Sequence, residues 1–304
     1  MPGTLSQCLS QYKVSDLPLP QQLVTLQHPK QTLFDAIQVL ADKHLLSAPV
    51  LDADGKLIGM LDTLDIVAYV TDAASHGASE LADHAIDTLI GKGCHRRARP
   101  VALVKMEDGL EAVTDTIAGP SRRAVVLNSN GVPESVVTQS TVVKFLHSKK
   151  QEIKAMNCGT AAEHCSHGTV TIGERETALK AFETIDDLEI SCLAILGDDG
   201  RMLTVISATD LVVGLAHMRL KPQIIACLKS MTVTEFVSEN RRLDVHAKAA
   251  TVAVSPKTPL AEVIEMLAVT RVHQVIIMGE NHTPLGVIAL SDICRAVANP
   301  GRLA

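Results

Sequence analysis

The sequence predicts an α/β fold built from four copies of one supersecondary unit, and three observations carry that prediction. First, one strand–turn–strand–helix pattern occurs four times: APVLDADGKLIGMLDTLDIVAYV at 48–70, AVVLNSNGVPESVVTQSTVVKFL at 124–146, CLAILGDDGRMLTVISATDLVVGL at 192–215 and VHQVIIMGENHTPLGVIALSDICRAV at 272–297. Second, its anchors Asp65, Thr141, Asp210 and Asp292 recur at steps of 76, 69 and 82 residues, so the chain is a repeat protein before it is anything else. Third, hydrophobic residues make up 46% of the chain while aromatics are 2% and Trp is absent. A core of Val, Ile, Leu and Ala suits packed sheets covered by helices.

The elements follow in order. Residues 1–22 read as a tail or docking arm, because Pro18 and Pro20 block a continuous helix. A short strand is expected at 23–26, then a helix capped by Thr32 with the apolar stripe Leu33, Ile37, Leu40 and Ala41. Residues 72–99 read as a linker with a helix near 80–90, ended by Gly91 and Gly93. Its basic end, His95-Arg96-Arg97-Ala98-Arg99, reads as a solvated turn. The second unit has a strand at 101–104 and a helix at 110–117, broken by Gly119-Pro120. The polar stretch 147–168 is the expected boundary between halves. The third unit runs over 169–215 with a helix at 177–185, residues 221–248 read as a further linker, and the fourth unit ends at 297. The expected division is therefore a tail at 1–22, a module at 23–146, a linker at 147–168 and a module at 169–304. One unit alone leaves an apolar sheet face uncovered, so units are expected to pair.

Composition excludes several classes. The 28 basic against 34 acidic residues give a net charge of −6, which disfavours nucleic acid as a partner. The aromatic platforms of single-strand binders are also missing. Seven scattered cysteines without a framework spacing fit a reducing compartment. The first 25 residues carry no basic start followed by an apolar run, and no apolar run approaches a membrane span. The expectation is a cytoplasmic protein with no membrane partner, the nucleus remaining open.

The place where chemistry can sit is the junction between the third strand and second helix of each unit. A hydroxyl ending the strand and a carboxylate three residues later face one cleft; the carboxylate can accept two hydrogen bonds from a vicinal diol such as ribose, beside a helix N-terminus that favours an anion. The third unit has the full pair, Ser207 and Asp210; the first has Asp65 with Asp62 in the hydroxyl position. The second has Thr138 with Thr141 in the carboxylate position, and the fourth has Asp292 with Ala289 in the hydroxyl position. The plainer reading is that S/T-x-x-D only caps a helix, which needs no ligand.

The stretches APVLDADGKLIGMLDTLDIV and PLGVIALSDICRAV resemble cystathionine-β-synthase (CBS) repeats, and the resemblance extends over all four units. VTQSTVVKFL at 137–146, RVHQVII at 271–277 and VSDLPL at 14–19 are similar to the gamma-type regulatory subunits of AMP-activated and SNF1-related protein kinases. That resemblance implies four CBS repeats paired as two Bateman modules in a flat disc, without enzyme activity. It implies AMP, ADP or ATP as ligand rather than a cofactor, and a kinase catalytic subunit and a beta-type subunit as partners. Homodimerisation stays open. It places the ribose contacts on Asp65, Asp210 and Asp292, and the phosphate contacts on His273, Arg122 and Arg123. Departures are Gln274 after His273, Leu46 and Ser140 where basic residues are expected, and Thr141. Each missing charge-assisted hydrogen bond weakens binding by roughly 1.5–3 kcal/mol. Asp62 adds a carboxylate that repels phosphate unless a cation intervenes. The expected order of occupancy is the third unit, then the fourth, then the first. The alternative is a scaffold or phosphatase-regulating interaction protein on the same fold, binding no nucleotide.

Other constellations are weaker. Cys158, His164, Cys165 and His167 lack a paired knuckle spacing, and polar linker composition accounts for them, so no metal is expected. Gly91-Lys92-Gly93 has no strand leading into it and is not a phosphate loop. Cys192 and Cys294 read as inert packing residues. No nucleophile–base set can be assembled from spacing, so no catalytic residue is proposed.

Overall fold

The chain, described from a computed structural model over residues 5–90, 101–156, 158–217, 223–243 and 251–298, begins with a short helix, α1 (Leu5–Leu9). Four copies of one plan follow. The first is β1 (Leu26–Gln27), α2 (Leu33–Asp42), β2 (Ser47–Leu51), β3 (Leu57–Asp62) and α3 (Thr63–Ser75). The second is β4 (Ala102–Val104), α4 (Leu110–Ala118), β5 (Arg123–Leu127), β6 (Pro133–Thr138) and α5 (Gln139–Ser148). Then come α6 (Lys150–Met156), α7 (Ala161–His164) and β7 (Ser166–His167). The third copy is β8 (Thr171–Gly173), α8 (Ala178–Asp187), β9 (Cys192–Leu196), β10 (Met202–Ser207) and α9 (Ala208–His217). Helices α10 (Ile224–Ser230) and α11 (Val233–Leu243) lead to the fourth, β11 (Ala253–Val254), α12 (Leu260–Thr270), β12 (Gln274–Met278), β13 (Pro284–Ala289) and α13 (Leu290–Ala298).

In every copy the middle strand is parallel to the first and antiparallel to the third, and the first helix makes the crossover that parallel pairing requires. The middle strands β2, β5, β9 and β12 share one pattern, three buried residues between two half-buried ones. That is why they read as short continuous apolar runs. Each hairpin closes with the same bond, Asp52 N to Lys56 O, Asn128 N to Val132 O, Gly197 N to Arg201 O and Gly279 N to Thr283 O, all 2.9 Å. The left-handed corner is Gly55, Gly131 and Gly200 in the first three and His282, at φ 59°, in the fourth.

The first helix of three units ends on a left-handed residue, His44, Glu189 or Arg271, three positions before the middle strand. The matching residue in the second unit is Pro120, whose ring holds φ near −65°. There the left-handed conformation sits instead at Arg122, φ 53°, so Pro120 reshapes the loop carrying two of the candidate basic residues.

The segments read as tail and linkers are parts of the repeats. The first amide of each unit's first helix would otherwise be an orphan. In each case a carbonyl from such a segment accepts it: Leu33 N to His84 O at 2.8 Å, Leu110 N to Tyr12 O at 2.9 Å, Ala178 N to Met231 O at 3.0 Å and Leu260 N to Gly159 O at 2.9 Å. Two residues on from each carbonyl, a fully buried apolar side chain anchors the segment: Ile86, Val14, Val233 and Ala161. The tail that precedes the first unit thus docks on the second, and the segment between them docks on the first. The third and fourth units exchange segments in the same way. Val14→Asp buries a carboxylate without a partner and is expected to cost about 3 kcal/mol or more. An unchanged urea midpoint would mean that the tail does not dock.

The chain forms two compact units that interleave in sequence. One comprises Met1–Leu23, Arg99–Thr169 and Lys248–Ala304, in which α13 packs on α4 and α5, and α12 on α5. The other comprises Val24–Ala98 and Val170–Ala247, in which α3 packs on α8 and α9, and α2 on α9. The expected cut at 147–168 is therefore not the boundary of these units, because Arg99–Thr169 lies within one of them. Other corrections are local. The strand expected at 23–26 begins at Leu26, and the helix expected at 80–90 is a single 3-10 turn, Ile86–Thr88. The stretch 147–168 holds α6, α7 and β7, and 221–248 holds α10 and α11. The basic stretch 95–99 and Gly91-Lys92-Gly93 lie outside the described residues. No helix among the described residues is long and apolar enough to cross a membrane.

Candidate functional site

Each unit places its candidate pair where a strand runs straight into a helix. Ser207 ends β10, and Asp210 lies on the first turn of α9. The Asp210 carboxylate accepts the Ser207 backbone amide at 2.7 Å and the Ser207 hydroxyl at 2.6 Å, both on Oδ2. Desolvation of the carboxyl pushes the Asp210 pKa above its ordinary value, opposed by the Ser207 bonds and the nearby Arg241 guanidinium. A carboxylate held under that penalty is the kind of group found at functional sites.

The third unit also contains residues that sequence reasoning missed. Asn240, 2% exposed on α11, donates from Nδ2 to the Asp210 carbonyl at 2.7 Å. Its Oδ1 is buried without a hydrogen-bond partner. Arg241 donates to the Thr204 hydroxyl at 2.7 Å and is half-buried. The signal was present: Val233, Phe236, Val237 and Asn240 are all buried at helical spacing, with an amide closing an apolar stripe.

In the first unit Asp65 accepts the Asp62 amide at 2.8 Å, while buried Asp62 accepts the Leu64 amide at 2.8 Å. Asp62 therefore caps α3 where a hydroxyl was sought. In the second unit the hydroxyls of Thr138 and Thr141 bond each other at 2.8 Å, and Thr138 caps the Thr141 amide at 3.1 Å. In the fourth, buried Asp292 accepts the Ala289 amide at 2.6 Å and pairs with Arg295. Capping thus accounts for bonds in all four units, and a ligand role must rest on what lies beyond the cap.

The ladder registers align the candidate basic residues with these junctions. Ser47, Arg123, Cys192 and Gln274 pair with Asp62, Thr138, Ser207 and Ala289, respectively. His273 precedes Gln274, and its carbonyl accepts the Leu290 amide at 3.0 Å, as Leu46 does for Thr63 and Ser191 for Ala208. Arg122 and Arg123 thus stand across from the junction that lacks a carboxylate, whereas Ser191 and Cys192 stand across from the complete pair. No single unit brings a hydroxyl, a carboxylate and a basic pair together on its own two strands. The third unit gains its cation from α11 instead. Cys294 is fully buried, and burial pushes its thiol up to about 12, so it is inert. His164 Nε2 lies 2.6 Å from the Cys158 carbonyl, and among the described residues no three His, Cys, Asp or Glu side chains converge on a metal position.

The sequence profile of the CBS domain family matches residues 28–72, in the first unit, and 244–299, which span the fourth, and the same five-element plan recurs in the other two. The chain carries CBS domains. It is similar to the 5′-AMP-activated protein kinase subunit gamma-3 of Bos taurus, 24% identical over 234 residues that cover 72% of this chain and 44% of that one. The chain thus spans less than half the length of the gamma-3 relatives it matches. It is also similar to the SNF1-related protein kinase regulatory subunit gamma-like PV42b of Arabidopsis thaliana, 22% identical with 95% of each chain covered. Its fold matches the crystal structure of a Methanocaldococcus jannaschii protein proposed as an archaeal homologue of the gamma subunit of AMP-activated protein kinase. The TM-score is 0.71 at 15% identity, with 93% of this chain and 99% of that one covered. At that identity the likeness concerns the fold of the CBS repeats alone.

Proposed function

We propose that this CBS protein is an adenine-nucleotide-sensing, gamma-like regulatory subunit of an SNF1/AMP-activated-type protein kinase assembly, with no enzyme activity of its own. The single observation that carries the reading is the third unit's Ser207–Asp210 pair, desolvated and flanked by Arg241 and Asn240. The carboxylate would take the ribose diol, and the helix N-terminus and Arg241 would offset phosphate charge. The gamma-3 and gamma-like PV42b relatives are kinase subunits, which supports a protein kinase assembly; a catalytic subunit and a beta-type subunit are the partners proposed within it. Regulation would follow from linkage: a nucleotide shifts the assembly by its differential affinity for two states and by no more. The grouping of residues 23–146 and 169–304 as two modules remains part of the proposal.

The test is isothermal titration of the full chain with AMP and then ATP at low micromolar protein. Heat with a stoichiometry of one or two supports the sensor. Flat titrations with both ligands favour the second reading, a CBS scaffold or phosphatase-regulating interaction protein without nucleotide. That reading is favoured by the hydroxyl pair at Thr138 and Thr141, which leaves the second unit without a carboxylate.

A further inference from the structure

Asp292, the fourth unit's candidate ribose acceptor, is closed on itself. Its Oδ2 accepts the Ala289 amide at 2.6 Å, and its Oδ1 is paired with the guanidinium of Arg295, one turn further along α13. The carboxylate side chain is 6% exposed while that of Arg295 is 51% exposed, so the guanidinium lies over the solvent side of a buried acid. The other three units carry Ala68, Lys144 and Val213 at the matching position, and Lys144 belongs to the unit whose junction has no carboxylate. The arrangement therefore belongs to the fourth unit. In the third unit both bonds from Ser207 fall on Oδ2 of Asp210, and the Arg241 guanidinium donates to Thr204 rather than to the acid.

We propose that Arg295 is a specificity-determining residue that holds Asp292 against ribose, so that the third unit fills with adenylate well before the fourth. The inference rests on the nucleotide reading above. A ribose diol reaching Asp292 has to displace a charge-assisted hydrogen bond. The loss is set at about tenfold in affinity, a value lowered from the buried case because half of Arg295 is in solvent. Arg295→Gln keeps a side chain of similar reach and removes the guanidinium charge paired with Oδ1.

The experiment is calorimetric titration of AMP into the full wild-type chain, R295Q, and R295Q combined with D292A, each checked as folded by circular dichroism. Wild type is expected to bind one equivalent tightly, and R295Q to show a second equivalent about tenfold tighter than the wild type's weak site. Loss of that second equivalent in the double variant assigns it to Asp292. Arg295→Lys, which keeps the charge but not the planar fork, is expected to gain less than R295Q. Superimposable AMP isotherms for wild type and R295Q, with binding present in both, overturn the role of Arg295 and leave the nucleotide reading standing. Flat isotherms for every protein overturn the nucleotide reading and this inference together.

Discussion

Asp210→Ala is expected to abolish tight AMP binding to the CBS protein, weakening the third site by at least tenfold, because a carboxylate that accepts two ribose hydroxyls has no substitute in alanine. Calorimetric titration checks this, and unchanged affinity removes Asp210 from the site. Asp210→Asn separates function from capping. Asparagine keeps an acceptor for the Ser207 amide and hydroxyl but removes the charge whose desolvation raises the pKa. A carboxyl that holds its proton more tightly when folded favours the fold most below the unfolded value of 3.8 and loses that advantage as pH rises through the folded value. Asp210→Asn is therefore expected to melt above wild type at neutral pH, with the difference closing as pH falls below 3.8. A wild type more stable than D210N at pH 7 would identify the carboxylate as a stabilising cap. A residue that costs stability and yet abolishes binding when replaced is one kept for its ligand.

Phe236→Ala has the second large expected effect. Phe236 and Phe182 are both fully buried, their rings edge-to-face at 5.5 Å between centroids, in a core whose other buried side chains are aliphatic. Truncating one ring is expected to cost about 3–5 kcal/mol, read as a fall in the urea unfolding midpoint. The same helix holds Asn240 and Arg241 one turn further on, so AMP affinity at the third site is expected to fall in protein that is still folded. A lower midpoint with full AMP affinity would separate α11 from the site.

Much of the fold was legible in the chain because its signals are local. Buried middle strands appear as short apolar runs, three of the four hairpins as Asp-Gly or Asn-Gly turns, and Thr32, Thr138 and Thr177 cap helices as their spacing implies. The junction residues were also legible, since a hydroxyl and a carboxylate three apart at a strand–helix boundary need only one turn of helix to meet. The segments around Val14, Ile86, Ala161 and Val233 were not, because each is too short to show a period and gains its buried side and its hydrogen-bond partner from a helix distant in sequence.

By itself, then, the sequence determined four α/β repeats, their strand–helix junctions and the acids placed there, since each follows from neighbours within one turn or one hairpin. Capping that ties Asp65 to Asp62 and the turn of α13 that sets Arg295 on Asp292 are equally local. Tertiary structure alone decided the company of Asp210, because α11 brings Asn240 and Arg241 to it from thirty residues away in sequence. The reason is physical: a carboxylate's usefulness depends on desolvation and on the charges around it, and both are set by the folded surroundings.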